Sequence, residues 1–271
     1  MINGEFKLTR LHESPEEMSG QGRVFFIRHG QAQYESLVAK AESEDPQGSI
    51  DIERQIKGDL TEIGRDQVQQ QAESFFKKFN KEKDIFFVVS SNQVRALETA
   101  SLFINEAVLI GFSVLRHQKT GSDIAREIGE GYIRSLSSLS INKKDILVEL
   151  LFTPPDWLPD IKWEFVDDDF KLQWERARSI ILEGNQGSWG LNFHRYAEEI
   201  KKIFPVELAT PKDLYKTQFQ DILRLVDFAK ERVGSRSVHI LAFGHEDYMG
   251  IALEEGTGNS TIGNAEIVEI K

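Results

Sequence analysis

Apolar residues gather along this chain in two rhythms. Short, mostly apolar runs occur at residues 24–27 (VFFI), 84–90 (DIFFVVS), 112–115 (FSVL) and 238–243 (VHILAF). Their length and their bias to β-branched and aromatic side chains predict buried strands. Between them the period changes to that of a helix. Val68, Ala72, Phe75, Phe76 and Phe79 follow a start signal at residues 58–64, where Asp59 or Thr61 can cap. Val94, Leu97, Ala100, Leu102 and Phe103 follow Ser90-Ser91-Asn92, and Leu214, Phe219, Ile222, Leu225, Val226 and Ala229 line a long amphipathic helix over 212–232. Residues 265–270 (AEIVEI) alternate strictly and predict an edge strand, while residues 1–22 read as an extension before the first strand.

Strands alternating with helices predict an α/β fold: a three-layer αβα sandwich with a mostly parallel sheet and helices on both faces. The interval from about 141 to 211 breaks this rhythm. It holds all four tryptophans (Trp157, Trp163, Trp174 and Trp189) and most of the prolines. We expect a single domain over 1–271, with this interval as a helical cap inserted in it. The tryptophans then serve first as the cap's core, with one or two walling a substrate pocket.

Composition narrows the function classes. The chain has 271 residues, 40% of them apolar, and no cysteine, which removes disulfides, thiolate metal sites and cysteine nucleophiles together. No apolar run approaches the ~20 residues that span a bilayer, and the polar N-terminus lacks a signal-peptide core. The expectation is a cytoplasmic protein without a membrane partner. A net charge of −11 argues against nucleic acid. It also means that any anion site must be built locally, from basic groups set against the chain's own field; Arg28 and Arg95 are the candidates.

The candidate chemistry falls at strand ends, where open α/β sheets collect ligand-handling groups. Arg28-His29-Gly30 follow the first strand, and Arg95 opens the helix after the second. Glu127 lies in a loop after the third (REIGEG), and His245 follows the fourth at a helix start. Two histidines, two arginines and one carboxylate suit phosphoryl transfer through a phosphohistidine. An imidazole attacks, arginines bind phosphate oxygens bidentately, and a carboxylic acid protonates the leaving oxygen.

In these segments the chain resembles the histidine phosphatase superfamily, with its phosphoglycerate-mutase-like fold. FFIRHGQ is similar to the family's Arg-His-Gly signature, GDLTEIGRDQV to its Leu-Thr-x-x-Gly-x-x-Gln segment and SSNQVRALETA to its Ser-x-x-x-Arg-Ala-x-x-Thr-Ala segment. REIGEG resembles the acid loop and LAFGHEDYM the second-histidine segment. The resemblance implies that His29 is the nucleophile that becomes phosphorylated. It further implies that Arg28, Arg95 and His245 bind the phosphoryl group, that Glu127 donates the proton, and that neither metal nor cofactor is needed. Gln31, next to the signature, is read as a further substrate contact. Where many members carry an asparagine after the signature this chain has Glu35, and Glu246-Asp247 follow the second histidine where small or neutral residues are usual. The Glu-Arg-x-Tyr-Gly of the mutase branch is missing from the acid loop, which favours hydrolysis over mutase chemistry.

The expected activity is that of a metal-independent, histidine acid phosphatase-type phosphomonoesterase. A phosphorylated small molecule is the first substrate class and a phosphoprotein the second. The alternatives are a phosphoglycerate-type mutase and a pseudoenzyme that binds a phosphorylated ligand. His239 within the fourth strand is read as packed or hydrogen-bonded, and Asp167-Asp168-Asp169 as a solvated acidic turn.

Overall fold

The computed structural model describes residues 8–11, 18, 22–33, 60–91, 93–115, 146–148, 167–183, 195–203, 233–246, 249–250 and 261–270. They form strands β1 (Leu8–Arg10), β2 (Val24–Arg28), β3 (Asp84–Ser90), β4 (Ser113–Leu115), β5 (Ile146–Val148), β6 (Ser237–Gly244) and β7 (Ile267–Ile270). The helices are α1 (Glu62–Phe76), α2 (Val94–Ile110), α3 (Asp168–Glu183) and α4 (Ala197–Ile203). None is long and apolar enough to cross a membrane.

The strands make one seven-stranded sheet in the order β1-β7-β2-β6-β3-β4, with β5 also paired to β3. Strands β2, β6, β3, β4 and β5 run parallel; β7 is antiparallel to β2, and β1 pairs antiparallel with β7. Strand β3 holds two partners along its outer edge: β4 pairs from Ile85 to Phe87 and β5 from Val88 to Ser90. The predicted mixed α/β fold with a mostly parallel central sheet is the fold observed.

Burial follows from strand alternation. Phe25, Ile27, Phe86, Val88, Leu241 and Phe243 share a core with Val68, Ala72, Phe75 and Phe76 of α1 and with Ala96, Leu97, Ala100 and Phe103 of α2. Its rings meet edge to face, Phe25 on Phe75 and Phe76 on Phe86, each with centroids 5.0 Å apart. Phe26, Ile240 and Ala242, which alternate to the opposite face, are also fully buried, so both faces of the sheet are covered. The helix expected over 212–232 lies outside the described residues.

Two expectations are corrected. The alternating C-terminal segment is not an edge strand: β7 lies between β1 and β2, and all four of its residues are buried. The edge is β1, three residues of what read as a mere extension. The polar positions of the alternation face ion-pair partners rather than water. Glu269 accepts from Arg23 at 3.0 Å, and Glu266 is bonded to Arg10.

The chain divides into two compact units. The first comprises Met1–Thr153, Leu223–His245 and Gly263–Lys271; the second comprises Pro154–Ile222 and Glu246–Ile262. The second unit holds α3 and α4. Asp167 starts α3 by accepting the Phe170 amide at 2.8 Å, and Trp174 on that helix is half-buried. Trp157, Trp163 and Trp189 lie outside the described residues.

Candidate active site

Three neighbouring parallel strands end at one level. Arg28 pairs with Gly244, and Ser90 with Phe243. The ladder runs one step further, because the His29 amide donates to Gly244 O at 3.2 Å and the Ser91 amide to Phe243 O at 2.9 Å. His29, Ser91 and His245 are therefore set side by side by sheet register, at the C-terminal ends of β2, β3 and β6. Helix α2 starts directly after Ser91 and brings Arg95 to the same place.

His29 is 2% exposed and held at both ring nitrogens. Nδ1 lies 2.7 Å from its neighbour's carbonyl, Gly30 O, and Arg95 Nε points at Nε2 from 3.1 Å. A carbonyl only accepts and a guanidinium only donates. Nδ1 therefore carries the proton, and Nε2 keeps its lone pair directed towards the Arg95 cation. Burial, first, and the Arg95 charge, second, hold the His29 pKa well below 6.5, with Arg28 adding to them. The imidazole is neutral at neutral pH.

His245 stands 5.2 Å from His29, ring to ring. Burial, Arg95, His29 and Arg28 depress its pKa well below 6.5 too. Its Nε2 is 2.9 Å from Ser91 Oγ, while its buried Nδ1 has no hydrogen-bond partner among the described residues.

The loop after His29 is fixed by close packing. A Cβ on Gly30 would sit 2.6 Å from Gly64 O, and one on Gly64 would sit 2.1 Å from Gln31 O. Both positions need glycine so that the start of α1 can press against the Arg-His-Gly turn. Thr61 caps α1 by accepting the Gly64 amide, and its hydroxyl reaches Gln31 Oε1 at 2.9 Å. Thr99 of α2 accepts the Gly30 amide at 3.2 Å. Glu98, buried beside it, accepts the Leu60 amide at 2.8 Å and Arg65 Nε at 2.6 Å. The Leu-Thr-x-x-Gly segment and the second half of the arginine segment thus serve as the frame of the first histidine.

The structure brings together Arg28, His29, Arg95 and His245. It places Gln31 against Thr61, with its side-chain oxygen engaged there. Glu127 and Glu35 lie outside the described residues, as do His12, His117 and His194. His239 is packed as expected: its Nε2 is 3.0 Å from Asp84 Oδ1, both side chains are fully buried, and Phe79 and Phe86 lie against its ring. Ser91 and Glu98 received no role from sequence reasoning. Ser91 stands in the arginine segment at the strand end, which was its available signal. A glutamate on a helix gave none for Glu98.

The α/β sheet thus gathers two buried imidazoles and two arginines at the ends of its parallel strands. Residues 24–112, which carry β2 to the end of α2, match the model of the histidine phosphatase superfamily (branch 1). Over this segment, about a third of its length, the chain is similar to that superfamily. A search of the curated proteins gives no match. Among solved structures, the chain is similar to a mycobacterial glucosyl-3-phosphoglycerate phosphatase, at 15% identity over 92% of this chain and 89% of that one, with a TM-score of 0.43. It is also similar to mycobacterial hydrolase 1, at 16% over 92% and 90% with a TM-score of 0.42. A third likeness is to a putative alpha-ribazole-5'-P phosphatase from Escherichia coli, at 13% over 87% and 79% with a TM-score of 0.35. Superpositions this loose add nothing to what the chain's own geometry carries.

Proposed function

We propose that this protein is a phosphatase that hydrolyses a phosphomonoester through a phosphohistidine on His29. The observation that carries the reading is the orientation of that imidazole: protonated at Nδ1 towards Gly30 O, with its Nε2 lone pair turned towards Arg95. A phosphoryl group drawn in by Arg28 and Arg95 meets the lone pair in line. The Nε2–P bond forms as the ester P–O bond breaks, and the leaving oxygen takes a proton from Glu127, the donor implied by the acid-loop resemblance. Water then attacks phosphorus and gives its proton to the Glu127 carboxylate. The N–P bond breaks to release inorganic phosphate. His245 donates to the phosphoryl oxygens throughout. The substrate class is a phosphorylated small molecule, and the arginines supply the positive charge that a metal supplies in other phosphoryl-transfer enzymes.

Brief incubation with a phosphorus-labelled ester, quenched in alkali, tests this directly. Label is expected on His29, acid-labile and absent from His29→Ala. Label on a serine, or wild-type turnover by His29→Ala, would overturn the mechanism. Transfer of the label to an acceptor ester instead of water would make the protein a mutase.

A further inference from the structure

His245 is a neutral imidazole whose two nitrogens cannot both donate, so its usefulness to a phosphoryl group depends on which one holds the proton. The structure contains the group that decides this. Ser91, fully buried at the end of β3, places Oγ 2.9 Å from His245 Nε2 and accepts the Gln93 amide on the same oxygen at 3.1 Å. Two arrangements are conceivable. In one, His245 Nε2–H donates to Ser91. The serine oxygen then accepts twice, and its own proton has no acceptor among its hydrogen bonds in the described structure. His245 Nδ1, buried and without a hydrogen-bond partner among the described residues, is then a bare lone pair. In the other, the Ser91 hydroxyl donates to Nε2. Every hydrogen-bonding capacity of that hydroxyl proton and of Nε2 is then used, and Nδ1 carries a proton. The second arrangement leaves one fewer buried polar group unsatisfied, each costing about 1–3 kcal/mol, and the group it leaves open is a donor.

We infer that Ser91 is a positioning residue. Its hydroxyl donates to His245 Nε2 and so holds the neutral imidazole as the Nδ1–H tautomer, a ready donor to a phosphoryl oxygen. The inference rests on the phosphatase reading for its use, but not for its test. The two histidines are then matched: each is protonated at Nδ1, with Nε2 an acceptor. They differ in what faces Nε2. In His29 it is the Arg95 guanidinium, 3.1 Å away; in His245 it is the Ser91 hydroxyl, 2.9 Å away. One ring is left a nucleophile and the other is made a donor, without charging either. Gln93, which makes no side-chain cap of α2, donates its amide to the same serine oxygen, so the start of α2 also fixes the hydroxyl's direction.

Side-chain nitrogen NMR of the full-length protein labelled with ¹⁵N-histidine tests this, with the His245 signals assigned by their loss in His245→Gln. In the wild type at neutral pH, His245 should show a protonated Nδ1 and an unprotonated, hydrogen-bonded Nε2. Ser91→Ala should shift it to a mixture of tautomers or to Nε2–H. The kcat on p-nitrophenyl phosphate should fall about ten- to a hundredfold, the scale of losing a partner that orients a site group, with KM changed much less. Ser91→Thr, which keeps a hydroxyl, should restore both. A wild-type His245 protonated at Nε2 overturns the proposal by itself, whether or not any Ser91 variant folds. So does an unchanged tautomer in a folded Ser91→Ala. Absence of phosphohistidine with the expected tautomer in place would overturn the catalytic reading and leave the Ser91 assignment standing.

Discussion

An imidazole attacks phosphorus only from an unprotonated nitrogen, and His29 is kept in that state by its surroundings rather than by the solvent's pH. Desolvation comes first among the causes, then the charge of Arg95. Followed by NMR, the His29 ring should titrate with a midpoint below 6.5, and Arg95→Ala should raise it without bringing it to the ordinary value, because burial remains. A midpoint that stays put in Arg95→Ala would separate the arginine from the histidine electrically and weaken the geometry on which the mechanism rests. Glu98 makes a second expectation at this scale. Its carboxylate is the acceptor for the buried Leu60 amide. Glu98→Leu strands that amide and should cost about 1–3 kcal/mol in urea unfolding. Most of this loss belongs to the amide, because Arg65 is 42% exposed and its side of the pair is solvated. Arg65→Ala should cost much less than Glu98→Leu, and equal losses would reverse that apportionment.

Elements in this protein are positioned by contact as much as by their own propensities. Helix α1 is placed against the Arg-His-Gly turn by two glycines, so one added methyl becomes a clash between backbones. Gly64→Ala should destabilise the fold and depress the proposed phosphatase activity together. At the cap, Thr61→Ala should cost only about 1 kcal/mol and mainly loosen Gln31. A fully active, fully stable Gly64→Ala would show that the turn and the helix separate without consequence. This contrast also marks what the sequence could reveal. Strands β2, β3 and β6 were legible because a strand covered on both faces is apolar at every position, and α1 and α2 because each buries one stripe. Strand β7 was misjudged since Glu269, buried against Arg23, looks in sequence like a solvent-facing residue. Strand β1 is too short to carry a pattern at all. At the site, Arg28, His29, Arg95 and His245 were legible from their places after strands. Ser91 and Glu98 act through a hydrogen bond fixed by register and through a buried amide, neither of which leaves a periodic trace.

At the scale of the whole molecule, three buried histidines among the described residues contribute to the response to acid. His29, His245 and His239 all have folded pKa values below 6.5, with burial the leading cause in each, although Asp84 partly opposes it at His239. Below about 6.5 the unfolded chain binds protons that the folded chain refuses, so stability falls as pH drops through that value and continues to fall towards the folded pKa values. Each histidine contributes a slope of up to about 1.4 kcal/mol per pH unit within that window. Thermal unfolding in phosphate-free buffer should show Tm falling between pH 7 and pH 5. A flat Tm there would mean that these rings protonate without unfolding the sheet. His239→Gln, remote from the phosphoryl site, should reduce the slope and leave the activity's pH dependence unchanged.

Strand β6 lies between β2 and β3, yet it follows both in the chain. Ser91 meets His245 across 154 positions of sequence. During synthesis β2 therefore has no sheet partner until β6 and β7 are made, while β3 can pair only with β4 and β5. Long-range closure of this kind is slow, and the waiting edges are open to pairing with other chains. The proposed activity therefore waits for β6, which begins at Ser237, rather than for the emergence of the Arg-His-Gly turn. Nascent chains halted before Ser237 should be inert and dependent on holding chaperones. A separately supplied segment carrying β6 and β7 has a vacant slot of matching register waiting for it, which makes this sheet a natural place to split the protein into complementing halves.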